Sequence, residues 1–179
     1  MFEELREINK PFQFRQGLDI RLLNKDKAKI LTSSKWKGDY IFAFDNIQDK
    51  ELIIKKLKLW KNYSNKTTKL YVFCGYDYDN IEDLTSVFER IKILMSFGCL
   101  SYIMRHKNYS NSKYRGMYIN LARWCNQPSF YKKKSFREFC YANGENSSTV
   151  RYMLEFEKEY PEIAKKYYDM KFEDLNLYS

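Results

Sequence analysis

The chain has 179 residues, 44% of them hydrophobic and 31% charged, with a formal net charge of +9. That length favours one domain able to bury about 68 to 70% of the surface its unfolded form exposes, and the composition excludes a mainly disordered chain. No apolar stretch reaches the roughly 18 residues a bilayer-crossing helix needs, and the charged stretch Met1 to Lys10 lacks the apolar core of a signal peptide; a soluble, cytoplasmic protein with no membrane contact is expected.

Four short apolar runs, each closed by polar or Gly residues, read as strands: Phe14 to Leu23, Tyr40 to Asp45, Leu70 to Gly75 and Leu100 to Arg105. Helical patterns separate them. Residues 26–33 form a short helix after the first run. Asp49 is placed to cap a second, in which Leu52, Ile53, Leu57 and Trp60 recur at helical spacing while Lys55, Lys56 and Lys58 face solvent. Asp79 or Asn80 opens a third, with Ile81, Leu84, Val87, Phe88, Ile91, Leu94 and Met95 on its apolar face and Gly98 as its stop. A further helix is expected over 114–126, where Trp124 reads as core. Ser135 and Glu138 then make a capping box, and Ser147 or Ser148 opens a helix that Pro161 divides from the last one. Strands separated by helices pair in parallel through right-handed crossovers. The expected fold is therefore α/β: an open half-barrel of four parallel βα units over 1–128, followed by C-terminal helices over 129–179 packed on it within one domain.

The four cysteines, Cys74, Cys99, Cys125 and Cys140, are widely spaced, without the close pairs of a zinc or redox site. Buried free thiols are the expectation, and no metal. His106, the one histidine, sits beside basic residues and reads as a surface residue rather than a general base. No GxSxG motif appears.

Charge is unevenly spread. Residues 101–140 carry 9 Lys and Arg against 1 acid, whereas 1–100 carry 18 against 14 and 141–179 carry 5 against 8. The excess includes Arg105, Lys107, Lys113, Arg115, Lys132, Lys133, Lys134 and Arg137, with aromatic residues among them, a composition suited to phosphates and bases or to an acidic protein surface. A solvated helix face is the equally weighted reading.

Residues Gln16 to Arg21, Phe42 to Asp45, Asp83 to Arg90, Gly98, Tyr102 to Arg105 and Leu121 to Asn126 together resemble the C-terminal half of a radical S-adenosylmethionine domain, over roughly residues 12–140. The resemblance implies a barrel half from which the CxxxCxxC loop that holds the [4Fe-4S] cluster is missing, so no cofactor is expected. What it leaves is a vestigial strand-end pocket of Asp19, Arg21, Asp45 and Asp77. Asp45 and Asp77 read equally as helix caps or turn formers.

An unclosed sheet has two edges and one apolar face to hide. Either the helices of 129–179 fold back over that face, or it meets another molecule, a second copy giving a homodimer or a target protein. The expected function is a non-catalytic binding protein on a disused scaffold. Truncated relatives of this kind resemble the small anti-CRISPR inhibitors of type VI CRISPR systems, which implies a bacterial host cell and an RNA-guided RNase as partner. Two alternatives stay open: a nucleic-acid-binding module using 105–137, with RNA as ligand, and one half of a split radical S-adenosylmethionine enzyme.

Overall fold

The computed structural model describes residues 4–7 and 10–178. After a single helical turn, α1 (Glu4–Glu7), the chain enters a sheet of four strands: β1 (Leu18–Asp19), β2 (Tyr40–Ala43), β3 (Thr68–Cys74) and β4 (Leu100–Arg105). All pair in parallel in the order β1-β2-β3-β4. Between them lie α2 (Lys25–Ser33), α3 (Lys50–Lys61) and α4 (Ile81–Ser96). Because each right-handed crossover moves one strand further the same way, these helices share one side of the sheet.

The first apolar run makes less strand than its composition suggests. Asp19 ends β1 after two residues, since its carboxylate accepts the Arg21 N–H at 3.0 Å and caps the 3-10 turn Ile20–Leu22. Asp49 also departs from expectation. It precedes α3 but makes no side-chain capping bond there, its carboxylate being taken by Arg21 at 3.0 Å; Asn46 caps the preceding 3-10 turn instead. Elsewhere local chemistry acts as read. Asn80 caps α4, Gly98 follows it with φ +61°, and Ser135 and Glu138 form the reciprocal capping box of α7 (Phe136–Tyr141).

The main core lies between the sheet and its helices. Thr68, Leu70, Val72 and Cys74 of β3 are buried there, with Leu84, Val87, Phe88, Ile91 and Leu94 of α4 and Leu57 and Trp60 of α3. Trp60 donates to Thr68 Oγ1 at 2.9 Å, so this buried polar strand residue is satisfied. All four cysteines are buried free thiols. Burial pushes those of Cys74, Cys99 and Cys140 up to about 12.

The C-terminal helices extend the helical layer rather than covering the other side of the sheet. α5 (Arg115–Cys125) packs on β4 and against α6 (Pro128–Tyr131), α7 and α8 (Ser148–Glu159), while α9 (Pro161–Tyr167) and α10 (Phe172–Leu175) pack on α4. Trp124 is fully buried and donates to the Lys134 carbonyl at 3.0 Å; Phe88 stacks on Tyr167 at 5.5 Å. This extension also seals one sheet edge. Asn126 accepts from the Ile103 N–H at 2.7 Å and donates to its carbonyl at 3.1 Å, occupying outward groups of β4 that would otherwise invite another strand. Among the described residues no helix is long and apolar enough to cross a membrane.

Candidate functional site

Alternation along β3 and β4 sends one set of side chains into the helical core and the other to the opposite face. On that second face Tyr71 stands opposite Tyr102, and Phe73 opposite Met104. Their exposure separates them sharply from their neighbours: Tyr102 is 37% and Met104 43% exposed, while Ser101 and Ile103 between and before them are buried. Tyr71 lies over small residues. A Cβ on Gly17 would sit 3.2 Å from its ring and 2.9 Å from the Phe42 carbonyl oxygen, and its hydroxyl donates to the Arg15 carbonyl at 2.8 Å. The result is a shallow depression of about 400 Å³ lined by Gly17, Ala43, Asp45, Tyr71, Phe73 and Met104.

The carboxyl ends of β2 and β3 are held from behind by Arg90. Its guanidinium, 2% exposed, donates through Nη1 to the carbonyls of Phe44, Asp45 and Phe73, each at 2.9 Å, and through Nε to Ser86 at 3.2 Å. Asp83 performs the matching task for the next turn. It accepts from the Gly75 N–H at 2.8 Å and from the Tyr118 hydroxyl at 2.7 Å. Together they set the rim on which Asp45 stands. Partial desolvation raises the Asp45 carboxyl above its ordinary value, outweighing the attraction of Arg90 and Arg21.

Three of the four residues expected at the strand ends do meet. Asp19, Arg21 and Asp45 line a recess of about 270 Å³ that shares Gly17 and Ala43 with the open face. Arg21 clamps both oxygens of Asp19 at 2.9 Å and reaches Asp49 at 3.0 Å, and its hydrogen bonds hold the Asp19 carboxyl below the usual range. Asp77 does not join them. It lies exposed in the turn before α4, where Asn80 Nδ2 donates to it at 3.2 Å.

The basic segment divides between the two ends of the molecule. Arg105, Lys107 and Arg115 are exposed at the carboxyl end of the sheet, with the Arg105 guanidinium 4.5 Å from the Tyr109 ring centroid. Lys132 and Lys133 are exposed and Lys134 half-buried beyond α5, which runs back along β4 for about 16 Å and brings Tyr131 beside Ser101 and Cys99 at the amino end. Lys113 and Arg137 are ion-paired within the chain. Lys113 pairs with Glu159 at 2.7 Å, and Arg137 is bidentate to Glu157 at 2.8 and 2.9 Å and bonded to Asp169 at 2.9 Å. His106 is half-buried, its Nδ1 accepting the Asn108 N–H at 3.3 Å and its ring lying between Phe73 and Tyr76.

The residues of the open face carry no local signal of their exposure. In β3, Lys69, Tyr71 and Phe73 alternate with Leu70, Val72 and Cys74, so both faces look largely apolar, as in a strand buried on both sides. Among the described residues no group of three or more His, Cys, Asp or Glu is arranged to hold a metal.

Fold and site thus define a class: an α/β protein with an open, all-parallel four-stranded sheet, helices on one face and a partly exposed aromatic surface on the other. Comparison with protein-family models, curated proteins and solved structures finds no match.

Proposed function

We propose that this chain is a binding protein without catalysis of its own, which acts in the cytoplasm of a bacterial host cell and inhibits the RNA-guided RNase of a type VI CRISPR system. It does so by docking its open sheet face onto the effector complex. The observation that carries this reading is the exposure of Tyr102 and Met104, 37% and 43%, on a strand whose intervening residues Ser101 and Ile103 are buried. Large apolar side chains held at the surface by regular secondary structure forgo burial worth about 25 cal/mol per Å², which a docked partner recovers. The C-terminal helices had the length to cover them and pack elsewhere. The resemblance of residues 12–140 to half of a radical S-adenosylmethionine domain supports a scaffold kept for its surface.

The test is guide-directed cleavage of a reporter RNA by a purified type VI effector with increasing amounts of this protein. Stoichiometric inhibition is expected, lost on Met104→Glu while the fold persists. Unimpaired cleavage at saturating protein ends the proposal.

A further inference from the structure

Two groups of rings follow one another up the open face. Tyr71 and Tyr102 have centroids 5.5 Å apart, Phe73 meets the His106 ring at 5.8 Å, and Tyr76, 67% exposed, meets His106 at 5.1 Å. Same-face residues within a strand are about 6.6 Å apart, so the series of rings rises along β3 and leaves the sheet at its carboxyl end. Cations stand at both ends of it. Lys69 Nζ lies 5.9 Å from the Tyr102 centroid at the lower margin, where it also pairs with Asp39 at 3.5 Å, and Arg105 and Lys107 are exposed at the upper one. One carboxylate, Asp45, lines the same depression.

This combination discriminates among occupants. Planar rings spaced along a strand, with cations beyond them, suit stacked bases and their phosphates; an apolar protein surface needs neither. Asp45 repels a phosphate, but it accepts a hydrogen bond from a ribose 2′-hydroxyl, a donor that DNA lacks. We propose that the open face is a stacking platform for single-stranded RNA: Tyr71, Tyr102 and Tyr76 receive bases, Lys69, Arg105 and Lys107 meet phosphates, and Asp45 engages a 2′-hydroxyl. The inference rests on the reading of this face as the docking surface, and it names RNA as the component of the effector complex that sits there.

Fluorescence anisotropy with labelled oligouridine of about 10 nucleotides, set against oligodeoxyuridine of equal length, tests it on the full chain. RNA is expected to bind more tightly than DNA, with log affinity falling against log salt at a slope of about −2, from three phosphates at about −0.7 each. Tyr102→Ala should weaken RNA binding by about 5- to 150-fold, Tyr102→Phe should restore most of it, and Asp45→Ala should bring the RNA and DNA affinities together. Lys132→Glu combined with Lys133→Glu, at the far end of the molecule, should change neither. Absence of RNA binding overturns the inference, as does binding unmoved by Tyr102→Ala in a variant that melts like the parent, or equal affinity for DNA. Inhibition of the RNase, measured in parallel, keeps the two readings apart. A chain that inhibits, loses inhibition on Tyr102→Ala and binds no RNA docks protein here, which removes the RNA inference alone; RNA binding without inhibition removes the inhibitor reading alone.

Discussion

A single guanidinium shows how much one residue can organise. Arg90 serves three carbonyls from two strand ends through Nη1 and at the same time holds Ser86 through Nε and Nη2, a spread of donors over three nitrogens that the single nitrogen of a lysine does not reproduce. Arg90→Met should therefore destabilise the fold by about 3 to 5 kcal/mol, since strand-end carbonyls lose their donor inside the protein; urea denaturation measures it, and Arg90→Lys should recover little. Arg137 acts nearer the surface and through charge. Its hydrogen bonds hold the Glu157 carboxyl below the ordinary value of 4.5. A carboxyl depressed in the folded state contributes fully above its unfolded value and loses that contribution as pH falls through the folded one. Stability should thus decline below about pH 4.5, and Arg137→Gln should cost about 1 kcal/mol at pH 7 while flattening that acid limb in melts recorded from pH 6 to 3.

At the scale of elements, two contacts decide where the sheet stops and how it turns. Asn126 at the end of α5 gives β4 a finished edge, so Asn126→Ala should cost about 1 to 3 kcal/mol and, by freeing the outward groups of Ile103, raise self-association in sedimentation velocity. Gly75 closes β3 with φ +78°, and a Cβ there would lie 2.7 Å from Tyr109 Cβ. Gly75→Ala should lower stability by about 1 to 3 kcal/mol in chemical denaturation, from backbone strain together with the displacement of Tyr109. The turn it distorts carries the upper margin of the open face.

Across the whole molecule, stability and binding are divided between the two faces of one sheet. Tyr102→Ala, on the open face, should lower the free energy of unfolding by less than about 1 kcal/mol while weakening partner binding. Trp124→Ala, on the helical side, should cost about 3 to 5 kcal/mol. Equal destabilisation by both would mean that the open face is core. The same division applies to charge: Lys132 and Lys133 are exposed and should tolerate reversal, whereas Arg137, three positions beyond Lys134, is built into the ion pairs that hold α7, α8 and the segment after α9 together.

Local chemistry made much of this architecture legible in advance. The order of βα units, the helix ends at Asn80, Gly98 and Ser135, the burial of Trp124 and the free thiols all follow from hydrophobic period, capping and spacing, which act over a few residues. The capture of Asp49 by Arg21 was hidden, because it depends on a contact 28 residues away, whereas the brevity of β1 comes from the local Asp19–Arg21 turn, which the apolar run around it masked. The open face was hidden for a deeper reason. Tyr71 and Val72 are both apolar, and only the placement of the C-terminal helices, settled by packing on α4 and α5, leaves one in the core and the other at the surface. Sequence determined which segments make strands and helices; tertiary packing alone decided which side of the sheet remained available to a partner, since covering a face is a matter of distant elements meeting and not of any local pattern.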